Sequence, residues 1–327
     1  MQLSDIQAIR RRYDHVYISP HFDDVAASCG GRILIHTQAG KSILVVTIFS
    51  SKPNQNTRVR SKALQAMLDY DRRRIEDIEA MQRLGADFLW LEFPEVIFRH
   101  HPPWRRYGLT YPVTAPNQCL CCQVTASLKK ICQQTQCTEM IIPLGIGQHV
   151  DHQIVYQAGV NLQSHKPHPY SVSFYEEIPY ALFPFLLIYR LKRTGLWQVI
   201  TPPAFKRGMG NPKVSAATRA QLLSSLPSLG LDRKFLQPGL YVILKCLDAA
   251  AHYLIRPQNV YRGNHPPIAA VTDISTQIDR KLDAISAYTS QLTSPLLTRQ
   301  NIEKGLAAYA ITLGLSEGLF GERYWRT

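Results

Sequence analysis

The stretch His15–Gly31, HVYISPHFDDVAASCGG, decides the fold. Val16-Tyr17-Ile18 opens it as a hydrophobic strand, Ser19-Pro20 breaks that strand, and His21, Asp23 and Asp24 follow within four residues. Polar groups packed just past the end of a buried strand are costly to hold there without a partner. Open α/β sheets put their ligand sites at the carboxyl ends of strands. A divalent metal accounts for both the residue types and their position.

Outward from this stretch, Val25–Ala39 carries small and apolar residues at helical spacing and ends at Gly40, a common helix stop. Ser42–Phe49, SILVVTIF, is the continuous β-branched run of a strand buried on both faces. Strand, helix, strand in this order makes a right-handed βαβ unit. Ser50–Val59 reads as a loop and Arg60–Leu84 as a long helix stopped by Gly85. Phe88–Phe93 is the third strand. Residues 94–118, with five prolines and the pair His100-His101, form a long irregular loop, and loops of that length are often functional. Leu120–Gln134 follows as a helix and Glu139–Leu144 as the fourth strand, ending in Gly145-Ile146-Gly147. A second polar cluster, Gln148-His149-Val150-Asp151-His152, then opens a helix that runs to about Leu162, and Ser171–Glu177 is the fifth strand.

Residues 1–13 read as a short helix or arm. The remainder, from about 178, is less regular, with helix-like segments at Ala181–Leu191, Thr272–Leu292 and Ile302–Leu313 around a Pro/Gly-rich stretch at Pro202–Pro212. The pattern predicts an α/β, doubly wound, mainly parallel sheet over residues 1–180, with an irregular extension, 181–327, that completes the same domain and its crevice. In such a sheet the order commonly reads 3-2-1-4-5, so the first and fourth strands are neighbours across the topological switch point. The two polar clusters, far apart in sequence, then meet in one crevice.

Length and composition bound the function. A chain of 327 residues with 45% apolar content can bury a sizeable core. No run of about 18 apolar residues exists, which argues against a membrane span. The N-terminus lacks the apolar core of a signal peptide, and seven cysteines make an odd number, so the expectation is a cytoplasmic protein without a disulfide framework. The net charge of +13 is spread over short groups such as Arg10-Arg11-Arg12 and Arg72-Arg73-Arg74, without interleaved aromatics, so no specific nucleic-acid partner is expected. Cys119, Cys121 and Cys122, with Cys132 and Cys137, lack a standard zinc-knuckle spacing.

A hydrolytic zinc site takes three ligands from His, Asp and Glu and leaves a position open for water. His21 and Asp24 can supply two, and His149 or His152 the third. Asp23, beside Asp24, is available as the base for a bound water, and the spare histidine as a donor to an oxyanion. Read singly, Asp23, Asp24 or Asp151 is no more than a helix cap, but caps do not account for two such clusters at two strand ends.

At these residues the sequence resembles a known family. SPHFDD followed by GG, and HVDH after PLGIG, are similar to the two signature motifs of the PIG-L / LmbE-like zinc-dependent N-acetylglucosamine deacetylases. The resemblance implies a Rossmann-like core, His21, Asp24 and His152 as zinc ligands, and Asp23 as general base. It makes His149 the charged donor to the oxyanion and gives Asp151 the task of orienting and tuning His149. The family's first motif usually has proline where Phe22 stands. Arg73-Arg74-Ile75-Glu76 followed by LGAD resembles the family's RRxE…LGA segment, which implies that Arg73 faces the substrate. Tyr175-Glu176-Glu177 with Pro179-Tyr180, and the late segment Lys281…Ile285…Tyr288-Thr289-Ser290-Gln291, extend the resemblance; in the late segment Tyr288 stands where a histidine is usual.

The implied activity is removal of an N-acetyl group from a small N-acetylglucosamine-type conjugate by metal-activated water. Zn2+ is the implied cofactor, and Fe2+ suits the same donors. The rivals are an amidase on a larger amino-sugar conjugate, such as a thiol-sugar or an antibiotic intermediate, and a non-catalytic polyanion-binding protein on the same fold.

Overall fold

The computed structural model describes residues 1–52, 69–99, 115–163, 169–198, 267–292 and 298–326. The expected loop at 94–118 therefore lies largely outside the described residues, as do His100-His101, the start expected for the Arg60–Leu84 helix and Pro202–Pro212.

Described in chain order, the strands are β1 (Gln2–Leu3), β2 (His15–Ser19), β3 (Ile43–Thr47), β4 (Asp87–Trp90), β5 (Glu139–Pro143), β6 (Ser171–Tyr175), β7 (Ile268–Asp273) and β8 (Gly321–Arg326). The α-helices are α1 (Asp24–Gln38), α2 (Tyr70–Leu84), α3 (Ala115–Thr135), α4 (Val150–Gln163), α5 (Pro184–Arg193), α6 (Ile278–Ser286) and α7 (Arg299–Thr312). Local chemistry sets the ends. The Asp69 carboxylate accepts from the Arg72 N–H at 3.1 Å to start α2, and Gly85, at φ 69°, ends it in the left-handed conformation. No helix among the described residues is long and apolar enough to cross a membrane.

The strands form one sheet in the order β1-β4-β3-β2-β5-β6-β8-β7. The run from β1 to β6 is parallel, and β8 and β7 are added antiparallel at the far edge. The expected 3-2-1-4-5 order is β4-β3-β2-β5-β6, so β2 and β5 are neighbours. Alternate strand residues feed two apolar layers. Val16, Ile18, Leu44 and Val46 pack with α3 and α4, whereas Tyr17, Ile43 and Val45 pack with α1 and α2.

Several segments differ from expectation, among them the third strand, which ends at Trp90. Residues 1–13 hold edge strand β1 and a 3-10 turn at Ile6–Ala8 rather than a helix. The fifth strand stops at Tyr175. The helix expected over Thr272–Leu292 is α6 alone, preceded by the end of β7. Strand β8 is not legible in the sequence because GERYWR has no apolar/polar alternation, yet pairing buries it from Gly321 to Trp325. Arg323 donates from Nε to Glu176 Oε1 at 2.8 Å.

Strand β8 also accounts for Gly30-Gly31. Glu322 Oε1 accepts from the Gly31 N–H at 2.9 Å and from Lys281 Nζ at 2.7 Å, and Oε2 accepts from the Arg32 N–H at 3.0 Å and the Tyr324 hydroxyl at 2.7 Å. A buried carboxylate is thereby fully partnered. This brings α6 and the strand end before it so close that a Cβ on Gly31 would lie 2.6 Å from Ile274 Cβ. Replacing glycine by alanine inside a helix ordinarily stabilises by about 0.5–1 kcal/mol. Here the overpacking should reverse the sign, and Gly31→Ala should destabilise by about 1–3 kcal/mol in urea unfolding. A neutral or stabilising effect would show that the α1–Ile274 contact is loose.

Candidate metal centre

The turn after β2 is shaped by its own side chains. The Ser19 hydroxyl donates to the His21 carbonyl and accepts from the Val25 N–H at 3.2 Å. Asp24 opens α1, and its Oδ2 accepts from the His21 N–H at 2.8 Å. Across the crevice, β5 ends in Gly145-Ile146-Gly147, with Gly145 at φ 84° and Gly147 at φ 82°. A Cβ at Gly147 would lie 2.5 Å from the Tyr180 ring, so only glycine lets the chain pass. Helix α4 then presents His152.

The two clusters meet. His21 Nδ1 lies 3.3 Å from Asp24 Oδ2, and His152 Nε2 lies 3.4 Å from the same oxygen. The donor atoms of His21, Asp24 and His152 all fall within 4.8 Å of one another. A tetrahedral ion with bonds of about 2.0–2.1 Å separates its ligands by roughly 3.3–3.4 Å, so the trio fits a zinc-sized ion. The outer nitrogens of both imidazoles are also engaged. His21 Nε2 is 3.2 Å from Asp151 Oδ2, and His152 Nδ1 is 3.3 Å from Glu177 Oε1. Carboxylates on the far side of metal-ligating histidines fix the tautomer and ring orientation. Burial alone would raise the Asp24 carboxyl, but the charges of His152 and His21 hold it well below the usual carboxylate range.

Asp23 occupies the cap position of α1, yet its side chain makes no capping hydrogen bond. The capping role considered from sequence is therefore not what Asp23 does. The carboxylate is half-buried. Burial pushes its pKa up, the neighbouring Asp24 charge adds to this, and Arg73 and His21 oppose it.

His149 is buried, and its Nδ1 accepts from the Asp151 backbone N–H at 3.3 Å. That leaves the neutral ring's proton on Nε2. Burial pushes its pKa down to about 3; Asp151 opposes this, and His21 and His152 reinforce it. With Nδ1 accepting from that amide, the ring presents its Nε2–H as the free donor, at the position where the resemblance implies a charged one. The Asp151 carboxylate also differs from expectation. It meets His21, not His149, and further accepts from the Val96 N–H at 3.0 Å and from Arg99. Only its backbone amide orients His149.

Arg73 is buried on α2, donating to Glu95 Oε1 at 2.8 Å with its guanidinium over the rings of Tyr70, at 4.9 Å, and Phe22, at 5.2 Å. Its neighbours point elsewhere: Arg72 pairs with Glu76 at 3.0 Å and Arg74 with Glu92. Glu76 accepts from the Ser290 N–H at 2.8 Å and hydroxyl at 2.6 Å, so the RRxE and late-helix segments are joined to each other. Phe22 packs edge-on against Tyr70 and Trp90.

Glu177 and Arg99 were not given roles by sequence reasoning. Glu177 follows β6 as a buried carboxylate and also accepts from the Gly145 and Ile146 N–H groups at 2.5 and 3.1 Å. The acidic pair at a strand end was its signal. Arg99 sat in a loop with no pattern to single it out. Cys121 is buried in α3 while Cys119 and Cys122 are exposed, so the three do not converge. Among the described residues, the groups of three possible metal donors are His21/Asp24/His152 and His21/His149/Asp151.

Fold and donor set together define an α/β protein with a His/Asp group that could hold a metal ion at a sheet switch point. Residues 16–163 match the PIG-L family model, described as GlcNAc-PI de-N-acetylase. A 2'-N-acetylparomamine deacetylase of Niallia circulans is 27% identical over 190 residues, spanning 50% of this chain and 66% of that relative. The fold is shared with the zinc-inhibited form of a teicoplanin deacetylase (TM-score 0.61, 20% identity, covering 97% of this chain and 98% of that one). It is shared too with the A40926 pseudoaglycone deacetylase (TM-score 0.58, 17% identity, covering 96% and 97%).

Glu177→Gln keeps the size of the side chain but weakens its grip on His152 and the Gly145–Ile146 amides. Metal affinity, measured by competition with a chromogenic chelator, should fall by about 10–100-fold. Unchanged affinity would mean that Glu177 supports the loop alone.

Proposed function

We propose that the chain is a zinc-dependent deacetylase that removes the N-acetyl group from an amino-sugar conjugate. The observation that carries this reading is the His21/Asp24/His152 trio at ligand spacing, with the uncapped Asp23 carboxylate directly beside it. The PIG-L match and the deacetylase relative support it. That relative's name specifies 2'-N-acetylparomamine, and the two structural neighbours are named for teicoplanin and for the A40926 pseudoaglycone. The relative's substrate favours an acetylated amino sugar within a larger molecule over a free monosaccharide. The described cysteines are free, in keeping with a reducing, cytoplasmic setting.

His21, Asp24 and His152 hold the ion, and Fe2+ suits the same donors. When bound, zinc lowers the pKa of water and polarises the acyl oxygen. Asp23 accepts the proton of the attacking water, helped by burial that raises its basicity. His149 donates its Nε2–H to the oxygen that gains negative charge as the carbonyl becomes tetrahedral, at no cost in reorganisation because Asp151 already holds the ring. Proton return from Asp23 to the departing nitrogen gives acetate and a free amine. Arg73, pinned between Glu95 and two rings, supports the Asp23 side of the crevice by its charge.

Asp23→Asn should lower acetate release from 2'-N-acetylparomamine or a comparable N-acetylglucosaminyl conjugate by about 10²–10⁴-fold. Elemental analysis should find zinc still bound, and chelation should silence the parent enzyme reversibly. Acetate release by Asp23→Asn at the parent rate would remove the base assignment. Binding of a polyanion without any acetate release would favour the non-catalytic rival.

A further inference from the structure

Behind the loop that carries His21 and Asp23 lies a buried chain of hydrogen bonds that the mechanism above does not use. Asp77, on α2, is almost fully buried. Its Oδ2 accepts from Trp90 Nε1 at 2.7 Å, and its Oδ1 lies 2.7 Å from the Tyr288 hydroxyl. The same hydroxyl lies 2.8 Å from the Phe22 carbonyl oxygen. A phenol has one proton to give. The Phe22 carbonyl can only accept, and an ionised Asp77 could also only accept, so one buried acceptor would be left without its donor, which is costly. Every atom is satisfied if Asp77 carries the proton. Asp77 O–H then donates to Tyr288, Tyr288 donates to Phe22, and Trp90 donates to the other carboxyl oxygen.

We propose that Asp77 is held as a neutral carboxylic acid and, through Tyr288, is a positioning residue that fixes the Phe22 carbonyl between the metal-site residues His21 and Asp23. The Phe22 peptide flanks both residues, so a rotation there moves both. Trp90 grips the same unit twice, through the Asp77 carboxyl and through the Phe22 ring, whose centroid lies 5.6 Å from its own. The charged and titratable groups facing Asp77 are Asp23 from the turn before α1, Arg73 from α2 and Tyr288 from the turn after α6. Burial pushes the Asp77 carboxyl up to about 7, with the Tyr288 and Trp90 bonds and Arg73 opposing and Asp23 reinforcing. A neutral Asp77 also spares Asp23 a further negative neighbour. The kinetic consequence rests on the deacetylase reading; the protonation state does not.

The test compares the zinc-loaded full chain with Tyr288→Phe, Asp77→Leu and Asp77→Asn. The amide of Asp77→Asn can donate to Tyr288 and accept from Trp90, so it mimics the neutral acid. In infrared difference spectra at pH 6 the parent should show a protonated-carboxyl C=O band that Asp77→Asn lacks. Tyr288→Phe and Asp77→Leu should lose kcat on the order of 10²-fold with little change in KM, the scale expected of a displaced reacting group, while Asp77→Asn stays near the parent. A carboxyl with a raised folded-state pKa stabilises the fold fully below its ordinary value of 3.8 and loses that contribution as pH rises through about 7. The parent's unfolding free energy should therefore carry a downward slope over this window that Asp77→Asn removes. A missing band, a Tyr288→Phe enzyme as fast as the parent, or an Asp77→Asn enzyme as slow as Asp77→Leu would overturn the proposal. A parent that releases no acetate yet shows both the band and the slope would overturn the deacetylase reading and support the protonated Asp77.

Discussion

The site depends on one constraint, the parallel pairing of β2 with β5. Its register joins His15 to Glu139, Val16 to Met140 and Tyr17 to Ile141, and there it stops, whereas the pairing of β2 with β3 continues to Ser19. The two strands part company for their last residues because the chain leaves them toward opposite faces of the sheet. The gap so formed receives His21 and Asp24 from one side and His149 and His152 from the other. A metal bound there bridges two segments that share few backbone hydrogen bonds at that level, so ligation and closure of the sheet reinforce each other.

Around the ligands, economy comes from carboxylates that serve backbone and side chain at once. Glu177 holds the His152 ring and the amides of the Gly145–Ile146 turn. Asp151 holds the His21 ring, the Val96 amide and Arg99. Each carboxylate thus ties the orientation of a metal ligand to the path of a distant loop. Burial of either without those donors would be prohibitive, and with them it makes the histidine geometry insensitive to side-chain rotation.

The core strands are readable in the sequence because each is buried on both faces. A continuous run such as Ile43–Thr47 is too short for a buried helix and too apolar for a surface segment. The reacting groups are readable because their chemistry is rare at strand ends. Which partner each group chooses is not readable. Nothing in His149-Val150-Asp151-His152 says that the carboxylate turns to His21 while the amide turns to His149, because that depends on the angle at which α4 leaves β5. Strands β7 and β8 were hidden for a related reason. Glu322 and Arg323 look like surface residues until Lys281 and Glu176 are brought to them by the rest of the chain. Arg99 and Glu177 are likewise ordinary residues whose roles exist only in the folded state.

The Glu322 clamp on α1 has a consequence for the order in which the molecule can be finished. Residues 15–163 contain every proposed metal ligand and leave the ribosome well before residue 322. Until then the Gly31 and Arg32 amides and the Lys281 ammonium have no anion to meet, and Ile274 reaches the notch at Gly30-Gly31 only late in synthesis. The carboxylate anchor on the helix that aims Asp23 and Asp24 is therefore added only once β8 has been made. Synthesis thus completes the seat of α1 in two stages, an apolar one against β2, β3 and α2 early and a carboxylate one from β8 last.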